Sequence, residues 1–178
     1  ILSELAEMAD HALRGAPADL SGLRVMVATS DVHEHGKMLV EEILRRLGVT
    51  VLDGGVSTDP AILALRVQEA KPDAVAISTY NGIALDYFKA LRRHGVAVPI
   101  LIGGRLNQIP DGSNSSLPVD VGTRLAEAGA LVCREASRMA VLGTEATIAR
   151  HERVGTNGGL LVFLVFALLG LAAIAWIV

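Results

Sequence analysis

The feature that most constrains the fold is a regular alternation of short apolar runs with longer helical patterns. The apolar runs are rich in Val, Ile and Leu, and each is nearly continuous. Runs of this kind are typical of parallel strands that are buried on both faces. The predicted strands cover residues 23–28, 49–52, 74–77, 100–102 and 130–133. The predicted helices cover residues 37–47, 60–70, 84–94, 121–128 and 135–151.

This order of elements predicts an α/β fold. We expect a flavodoxin-like (Rossmann-like), doubly wound, five-stranded parallel sheet with helices on both faces. Right-handed crossovers would place the loops after the first, third and fourth strands along one edge of the sheet. Open α/β sheets bind their ligands at that carboxyl edge, so functional residues are expected in those three loops.

The loop after the first predicted strand carries Asp31, His33 and Gly36 with the spacing D-x-H-x-x-G. A carboxylate two residues before a histidine can accept a hydrogen bond from one ring nitrogen. That bond fixes the tautomer and leaves the other nitrogen as a lone pair for a metal. Gly36 would let a bulky, flat ligand approach the backbone closely. The two later loops add three residues: Ser78, Gly103 and Gly104.

These three motifs, in this order, resemble those of the cobalamin-binding (vitamin B12-binding) domain family, and the resemblance covers residues 23–139. The chain is similar to the C-terminal domain of methylmalonyl-CoA mutase-type isomerases. The resemblance implies that cobalamin binds with its own lower base displaced and that His33 replaces this base on cobalt. It also implies that Asp31 holds His33 and that Gly36 leaves space beneath the corrin ring.

The displaced nucleotide tail lies in a slot beside the sheet in this family. The resemblance implies that Ser78 hydrogen-bonds the lower base and that Gly103 and Gly104 line the slot. The family often has Ser-x-Leu or Ser-x-Thr after the third strand, whereas this chain has Ser78-Thr79-Tyr80, so Tyr80 is a departure. The predicted cofactor-binding residues are Asp31, His33, Gly36, Ser78, Thr79, Tyr80, Gly103 and Gly104, with His33 as the cobalt ligand.

The resemblance implies a cofactor-carrying domain or subunit of an adenosylcobalamin-dependent isomerase (mutase), not catalytic alone. A barrel domain or subunit would hold the substrate. Only about twenty residues precede the first predicted strand, which favours the mutase class and adenosylcobalamin, with methylcobalamin as the alternative. Other hypotheses are a membrane-tethered corrinoid carrier or sensor, a methyl-transfer corrinoid protein without catalysis of its own, and an interaction unit whose ligand site has decayed.

A simple metal centre is a further alternative. Asp31, His33 and His35 alternate along the chain and could bind Zn²⁺ or Fe²⁺ if the strand continued through His35. A helix that starts at Gly36 and Lys37 argues against this continuation. Lys37 itself is expected to be solvated in the first turn of that helix.

The composition argues against a nucleic-acid partner and indicates a reducing compartment. The net charge is −3, and the 16 basic and 19 acidic residues form no long runs, so no nucleic-acid surface is predicted. The single cysteine, Cys133, is expected to be a buried thiol in the last strand, which is typical of a reducing compartment. Because the chain begins with Ile1, we expect it to be a fragment of a longer protein.

The predicted domain organisation has four parts. Residues 1–22 form an N-terminal helix and linker, residues 23–151 the cobalamin-binding α/β domain, and residues 152–159 a second linker. Residues 160–178 are apolar throughout and long enough to span about 30 Å of hydrocarbon as a transmembrane helix.

Two further expectations concern particular segments. Arg150 and Arg153 precede the apolar C-terminal segment, so the positive-inside rule predicts a cytoplasmic domain anchored to the membrane. The long polar stretch 105–120 is expected to be a loop over the ligand edge, serving as a lid, as a partner-docking loop or as a passive surface loop.

Overall fold

The structure is a computed structural model, and it describes residues 21–109 and 117–133 together with Glu7, Ala9, Asp10 and Leu13. The described strands are β1 (Arg24–Thr29), β2 (Thr50–Gly55), β3 (Ala74–Thr79), β4 (Ile100–Gly104), β5 (Asn107–Gln108), β6 (Val119–Asp120) and β7 (Leu131–Cys133). The described helices are α1 (His35–Arg46), α2 (Pro60–Ala70), α3 (Ala84–Arg93) and α4 (Gly122–Glu127).

Five of these strands form one sheet in the order β2-β1-β3-β4-β7, and all the pairs are parallel. This order confirms the predicted flavodoxin-like α/β fold. The register pairs Thr29 of β1 with Ser78 of β3, and Ser78 in turn with Gly103 of β4. The ends of the three strands that carry the predicted motifs are therefore direct neighbours at the carboxyl edge.

The strands are apolar because both faces of the sheet are covered. One buried cluster lies between the sheet and helices α2, α3 and α4, with Leu63, Phe88 and Leu125 at its centre. The other lies between the sheet and α1, and it includes Ile43 and Ala9 from the N-terminal segment. Burial on both sides removes the alternation that a half-exposed strand would show.

Helix α2 shows how local sequence sets an element's limits. The Asp59 carboxylate accepts a hydrogen bond from the Ala61 backbone N–H at 2.8 Å, and Pro60 occupies the first helical position. Both features favour a helix start, because proline lacks an N–H that the first turn would leave unpaired. The helix ends where Lys71 adopts a left-handed conformation with φ +48°.

The start of one helix and one predicted loop differ from the structure. Helix α1 begins at His35, two residues before the predicted start, with the Met38 N–H bonded to the Glu34 carbonyl at 2.9 Å. The stretch predicted as a loop over the ligand edge contains the antiparallel pair β5–β6. The Gln108 side chain anchors this pair, because its Oε1 accepts the Leu85 N–H and its Nε2 donates to Asp86.

The structure tests the predictions for the C-terminal part of the chain only as far as Cys133. Cys133 is buried in β7, as predicted. Across the part of the chain that the structure describes, no helix is both long enough and apolar enough to cross a membrane. The predicted helix 135–151, linker 152–159 and transmembrane helix 160–178 lie outside the described residues.

Candidate functional site

The candidate site is organised around one buried carboxylate, that of Asp31, directly beyond β1. Its Oδ1 accepts a hydrogen bond from the His33 backbone N–H at 2.8 Å and lies 3.0 Å from His33 Nδ1. Its Oδ2 accepts a hydrogen bond from the Tyr80 backbone N–H at 2.5 Å. Asp31 is only 5% exposed. One carboxylate therefore ties the loop after β1 to the loop after β3.

The contact between Asp31 and His33 determines what the imidazole can do. A carboxylate accepts but does not donate, so it selects the tautomer with the proton on Nδ1. Nε2 then carries the lone pair, and the His33 side chain is 57% exposed at the edge of the sheet. The predicted pairing of Asp31 with His33 is present, and it leaves Nε2 as the ring nitrogen that is not bonded to Asp31.

Gly36 and Ser78 are brought together at the same edge. Gly36 lies in the first turn of α1, and a Cβ added to it would fall 2.5 Å from Ser78 Oγ. Ser78 is half-buried near the end of β3. Glycine at position 36 therefore lets α1 approach the sheet on the face towards which the Ser78 hydroxyl points.

The glycine pair at the end of β4 lies beside these residues. Gly103 pairs with Ser78 and Gly104 with Thr79. Gly104 has φ +108°, and a Cβ there would overlap the Thr79 carbonyl oxygen. The fold itself therefore requires glycine at position 104, and the role in lining a slot stays a prediction.

Thr79 and Tyr80 differ sharply in environment. Thr79 is 2% exposed, and within the described residues its hydroxyl has no hydrogen-bond partner. The buried hydroxyl of Ser30, at the end of the neighbouring strand, also has no hydrogen-bond partner among the described residues. Tyr80 is 52% exposed, and its ring lies against His33 with centroids 4.7 Å apart and planes inclined by 46°. The Tyr80 ring thus contacts the imidazole at the edge of the sheet.

The simple metal centre considered from the sequence is not assembled. Asp31 Oδ1 is bonded to His33, and His35 is the first residue of α1 rather than part of a continuing strand. No three His, Cys, Asp or Glu side chains converge as a metal site anywhere in the described ranges.

Three contacts at the site were not predicted from the sequence. The Arg105 guanidinium lies 5.5 Å from the centre of the Tyr80 ring. Asn81 Nδ2 donates to the Ser30 carbonyl at 3.3 Å, and the Ser57 N–H donates to the Asp31 carbonyl at 3.2 Å. The sequence indicates only that each of these residues follows a predicted strand, at the edge of the sheet where a ligand is expected.

Lys37 was expected to be solvated, and that prediction was wrong. Its Nζ lies 2.5 Å from Glu41 Oε1 and 2.9 Å from Asp53 Oδ1, and the residue is 8% exposed. Burial by itself lowers the pKa of Lys37, but the hydrogen bonds and charges of the two carboxylates outweigh it, so the pKa is raised. The hydrogen bond from Lys37 likewise lowers the pKa of Asp53. The lysine therefore belongs to an ionic network beside the site.

We expect this network to make stability fall at alkaline pH. Because the pKa of Lys37 is raised on folding, its contribution is complete below the unfolded value of about 10.5 and is lost as the pH rises through the folded value. Lys37→Met should lower the free energy of unfolding by about 1–3 kcal/mol at pH 7. It should also flatten the alkaline decline in urea-unfolding curves recorded between about pH 9 and 12.

The matched control is Lys89→Met, which replaces an exposed lysine on α3. It should change neither the stability at pH 7 nor the alkaline decline. An alkaline decline of the same steepness in Lys37→Met and in wild type would contradict the assignment.

The sheet order defines a flavodoxin-like α/β domain. No protein-family model matches the sequence, and no curated protein matches it significantly. Solved structures do match. A novel cobalamin-binding protein from Desulfitobacterium hafniense DCB-2 has a TM-score of 0.56 and 22% identity, over 82% of this chain and 70% of that chain.

Two proteins of Methanosarcina barkeri also match. The methanol:cobalamin methyltransferase complex MtaBC has a TM-score of 0.52 and 21% identity, over 75% of this chain and 47% of that chain. The monomethylamine corrinoid protein has a TM-score of 0.54 and 16% identity, over 79% of this chain and 64% of that chain. This chain thus spans less than two thirds of these two proteins. The resemblance predicted from the motifs is confirmed at the level of the fold.

Proposed function

We propose that this chain binds cobalamin at the carboxyl edge of the sheet, in the base-off form, with His33 as the lower axial ligand of cobalt. The observation that carries the proposal is the contact between Asp31 and His33 Nδ1. It selects the tautomer whose Nε2 lone pair is available, on a ring that is largely exposed. The fold shared with solved cobalamin-binding proteins supports the same conclusion.

The residues around His33 fit this ligand. Gly36 keeps α1 free of a side chain where it meets the sheet, and Ser78 lies directly beside it with a hydroxyl that can donate to a base nitrogen. Gly103 and Gly104 leave the neighbouring strand end without side chains. Thr79 adds an unpaired hydroxyl below the same edge. Bound cobalamin would supply the chemistry of a cobalt–carbon bond.

We assign the chain a carrier role within a larger system. The first candidate is the cofactor-carrying domain or subunit of an adenosylcobalamin-dependent isomerase, with the substrate held by a barrel partner. The second candidate is a methyl-transfer corrinoid protein. It is favoured by the match to a methyltransferase complex and to a monomethylamine corrinoid protein. The upper ligand of the corrinoid that co-purifies with the chain, adenosyl or methyl, distinguishes the two roles by mass spectrometry.

We further propose that residues 160–178 anchor the domain to a membrane, with the domain on the cytoplasmic side. The support is the uninterrupted apolar stretch with Arg150 and Arg153 before it. Cell fractionation with and without residues 160–178 tests this proposal. Recovery of both forms in the soluble fraction would contradict it.

The proposed cobalt ligand is tested by His33→Ala in the full 178-residue chain, kept in mild detergent and titrated with hydroxocobalamin. Wild type should give the visible spectrum of a corrinoid with histidine on cobalt. His33→Ala should lose that spectrum and bind more than about tenfold more weakly, because metal sites depend on each ligand. His33→Ala also removes the hydrogen bond to Asp31 and the ring contact with Tyr80, so it should lower the free energy of unfolding by about 1–2 kcal/mol while leaving the chain folded.

The control is His35→Ala, which removes the exposed histidine two residues further on. It should retain the wild-type spectrum and affinity. Two results would overturn the proposal. One is a wild-type chain that takes up no corrinoid, and the other is a histidine-on spectrum that survives in His33→Ala.

A further inference from the structure

Three exposed side chains from three different loops form a stack at the edge of the sheet. The Tyr80 ring lies against the His33 imidazole, with centroids 4.7 Å apart. The Arg105 guanidinium lies 5.5 Å from the centre of the Tyr80 ring. Tyrosine is also the residue that departs from the family pattern at this position. The stack therefore brings a chain-specific residue into contact with the proposed cobalt ligand.

The backbone fixes each member of the stack. The His33 and Tyr80 N–H groups both donate to the buried carboxylate of Asp31. The Arg105 N–H donates to the Thr79 carbonyl at 2.8 Å. All three residues are thus anchored close to their Cα atoms, and the ring contacts follow from well-defined backbone positions.

The imidazole needs a second contact to have a defined plane. The hydrogen bond from Nδ1 to Asp31 fixes one ring atom, but the ring can still tilt about that bond because most of the side chain is exposed. The Tyr80 ring limits this tilt. Aromatic pairs contribute about 0.5–1.5 kcal/mol beyond buried area, and a cation near an exposed ring adds about 0.5–1 kcal/mol.

We propose that Tyr80, held by Arg105, is a positioning residue that fixes the plane of the His33 imidazole and so directs Nε2 towards the ligand. The contact with His33 is made by the ring of Tyr80. Tyr80→Phe should therefore keep the His33 imidazole in position, whereas Tyr80→Leu should not. The consequence for affinity rests on the proposed cobalamin function, but the effect on His33 itself does not.

The first experiment is NMR of the full chain with isotope-labelled histidine, in the absence of any ligand. The five histidines give separate ring signals, and His33→Ala identifies that of His33. In wild type and Tyr80→Phe, the His33 ring protons should be shifted by the neighbouring aromatic ring. In Tyr80→Leu that shift should disappear, while the Nδ1-protonated tautomer set by Asp31 is retained.

The second experiment is titration with hydroxocobalamin. Tyr80→Leu should bind about three- to tenfold more weakly than wild type, which is the range that the energy of an aromatic pair implies. Tyr80→Phe should stay within about twofold of wild type, and Arg105→Gln should lie between the two. The control is Leu65→Ala, which trims an exposed apolar residue of α2 away from the stack and should change neither measurement.

The outcomes separate this inference from the cobalamin proposal. If the His33 signals are the same in Tyr80→Leu as in wild type, Tyr80 is not a positioning residue. If the signals move but Tyr80→Leu binds cobalamin as tightly as Tyr80→Phe does, the proposed effect of Tyr80 on cobalamin affinity is contradicted. If the signals move as expected and wild type binds no cobalamin, the positioning of His33 stands and the cobalamin proposal fails.

Discussion

Asp31→Ala is expected to lower the free energy of unfolding by about 2–4 kcal/mol and to abolish the histidine-on corrinoid spectrum. The carboxylate accepts hydrogen bonds from the His33 and Tyr80 backbone N–H groups and from His33 Nδ1. Removing a buried acceptor leaves its donors unpaired, at about 1–3 kcal/mol for each buried group. The imidazole also loses the contact that selects its tautomer. Urea unfolding and cobalamin titration measure the two effects.

Asp31→Asn tests which of these contacts needs the second carboxylate oxygen. Asp31 Oδ1 accepts the His33 backbone N–H and lies against His33 Nδ1, so the amide oxygen should take its place and the amide N–H should face the Tyr80 N–H. Losing the bond to Tyr80 should lower the free energy of unfolding by about 1–2 kcal/mol. Histidine nitrogen chemical shifts should show that the Nδ1-protonated tautomer of His33 is retained, and the histidine-on spectrum should remain.

The matched control is Asp73→Ala, whose carboxylate accepts the Arg24 backbone N–H at 2.9 Å at the opposite end of the sheet. It should cost about 1 kcal/mol and leave cobalamin binding unchanged. The account of Asp31 is wrong if Asp31→Ala is no less stable than Asp73→Ala, or if Asp31→Asn loses the Nδ1-protonated tautomer of His33 as completely as Asp31→Ala does.

Gly104→Ala is expected to lower the free energy of unfolding by about 3 kcal/mol, whether or not a ligand is present. The residue has φ +108°, a backbone conformation that costs an L-residue about 1–3 kcal/mol. The added Cβ would also overlap the Thr79 carbonyl oxygen, so β3 and β4 would have to separate at their ends. Overpacking of this kind costs about 1–3 kcal/mol in addition.

Gly95→Ala is the control for backbone strain alone. Gly95 has φ +82°, but no atom of the described residues lies within 4 Å of the position of an added Cβ. It should therefore cost only about 1 kcal/mol. Urea unfolding of both variants gives the difference, about 2 kcal/mol, as the cost of the clash. Equal losses in the two variants would show that the contact with Thr79 is relieved without cost.

The sheet could be predicted because its strands are buried on both sides. Residues 74–77 and 100–102 read as continuous apolar runs, and they form the N-terminal parts of β3 and β4. The pair β5–β6 could not be predicted, because two-residue strands show no periodicity and this pair depends on the Gln108 side chain. The start of α1 was missed because no side chain caps it.

Individual contacts within the site could be predicted only where the two residues are close in sequence. Asp31 and His33 lie two positions apart, so their contact follows from the motif alone. The bond from the Tyr80 N–H to Asp31 joins residues 49 positions apart, and its partner cannot be read from either segment. The burial of Lys37 depends on Asp53 at the end of β2, which is equally remote in sequence.

The position of the site on β1 and β3 has a thermodynamic consequence. These are adjacent inner strands of the five-stranded sheet, hydrogen-bonded to each other from Val25 to Thr29. A ligand held between their ends binds the folded state alone, so its binding free energy is added to the stability of the whole domain. At a concentration one hundred times the dissociation constant this coupling amounts to about 2.7 kcal/mol. A rise in melting temperature would therefore report occupancy even for a colourless corrinoid analogue.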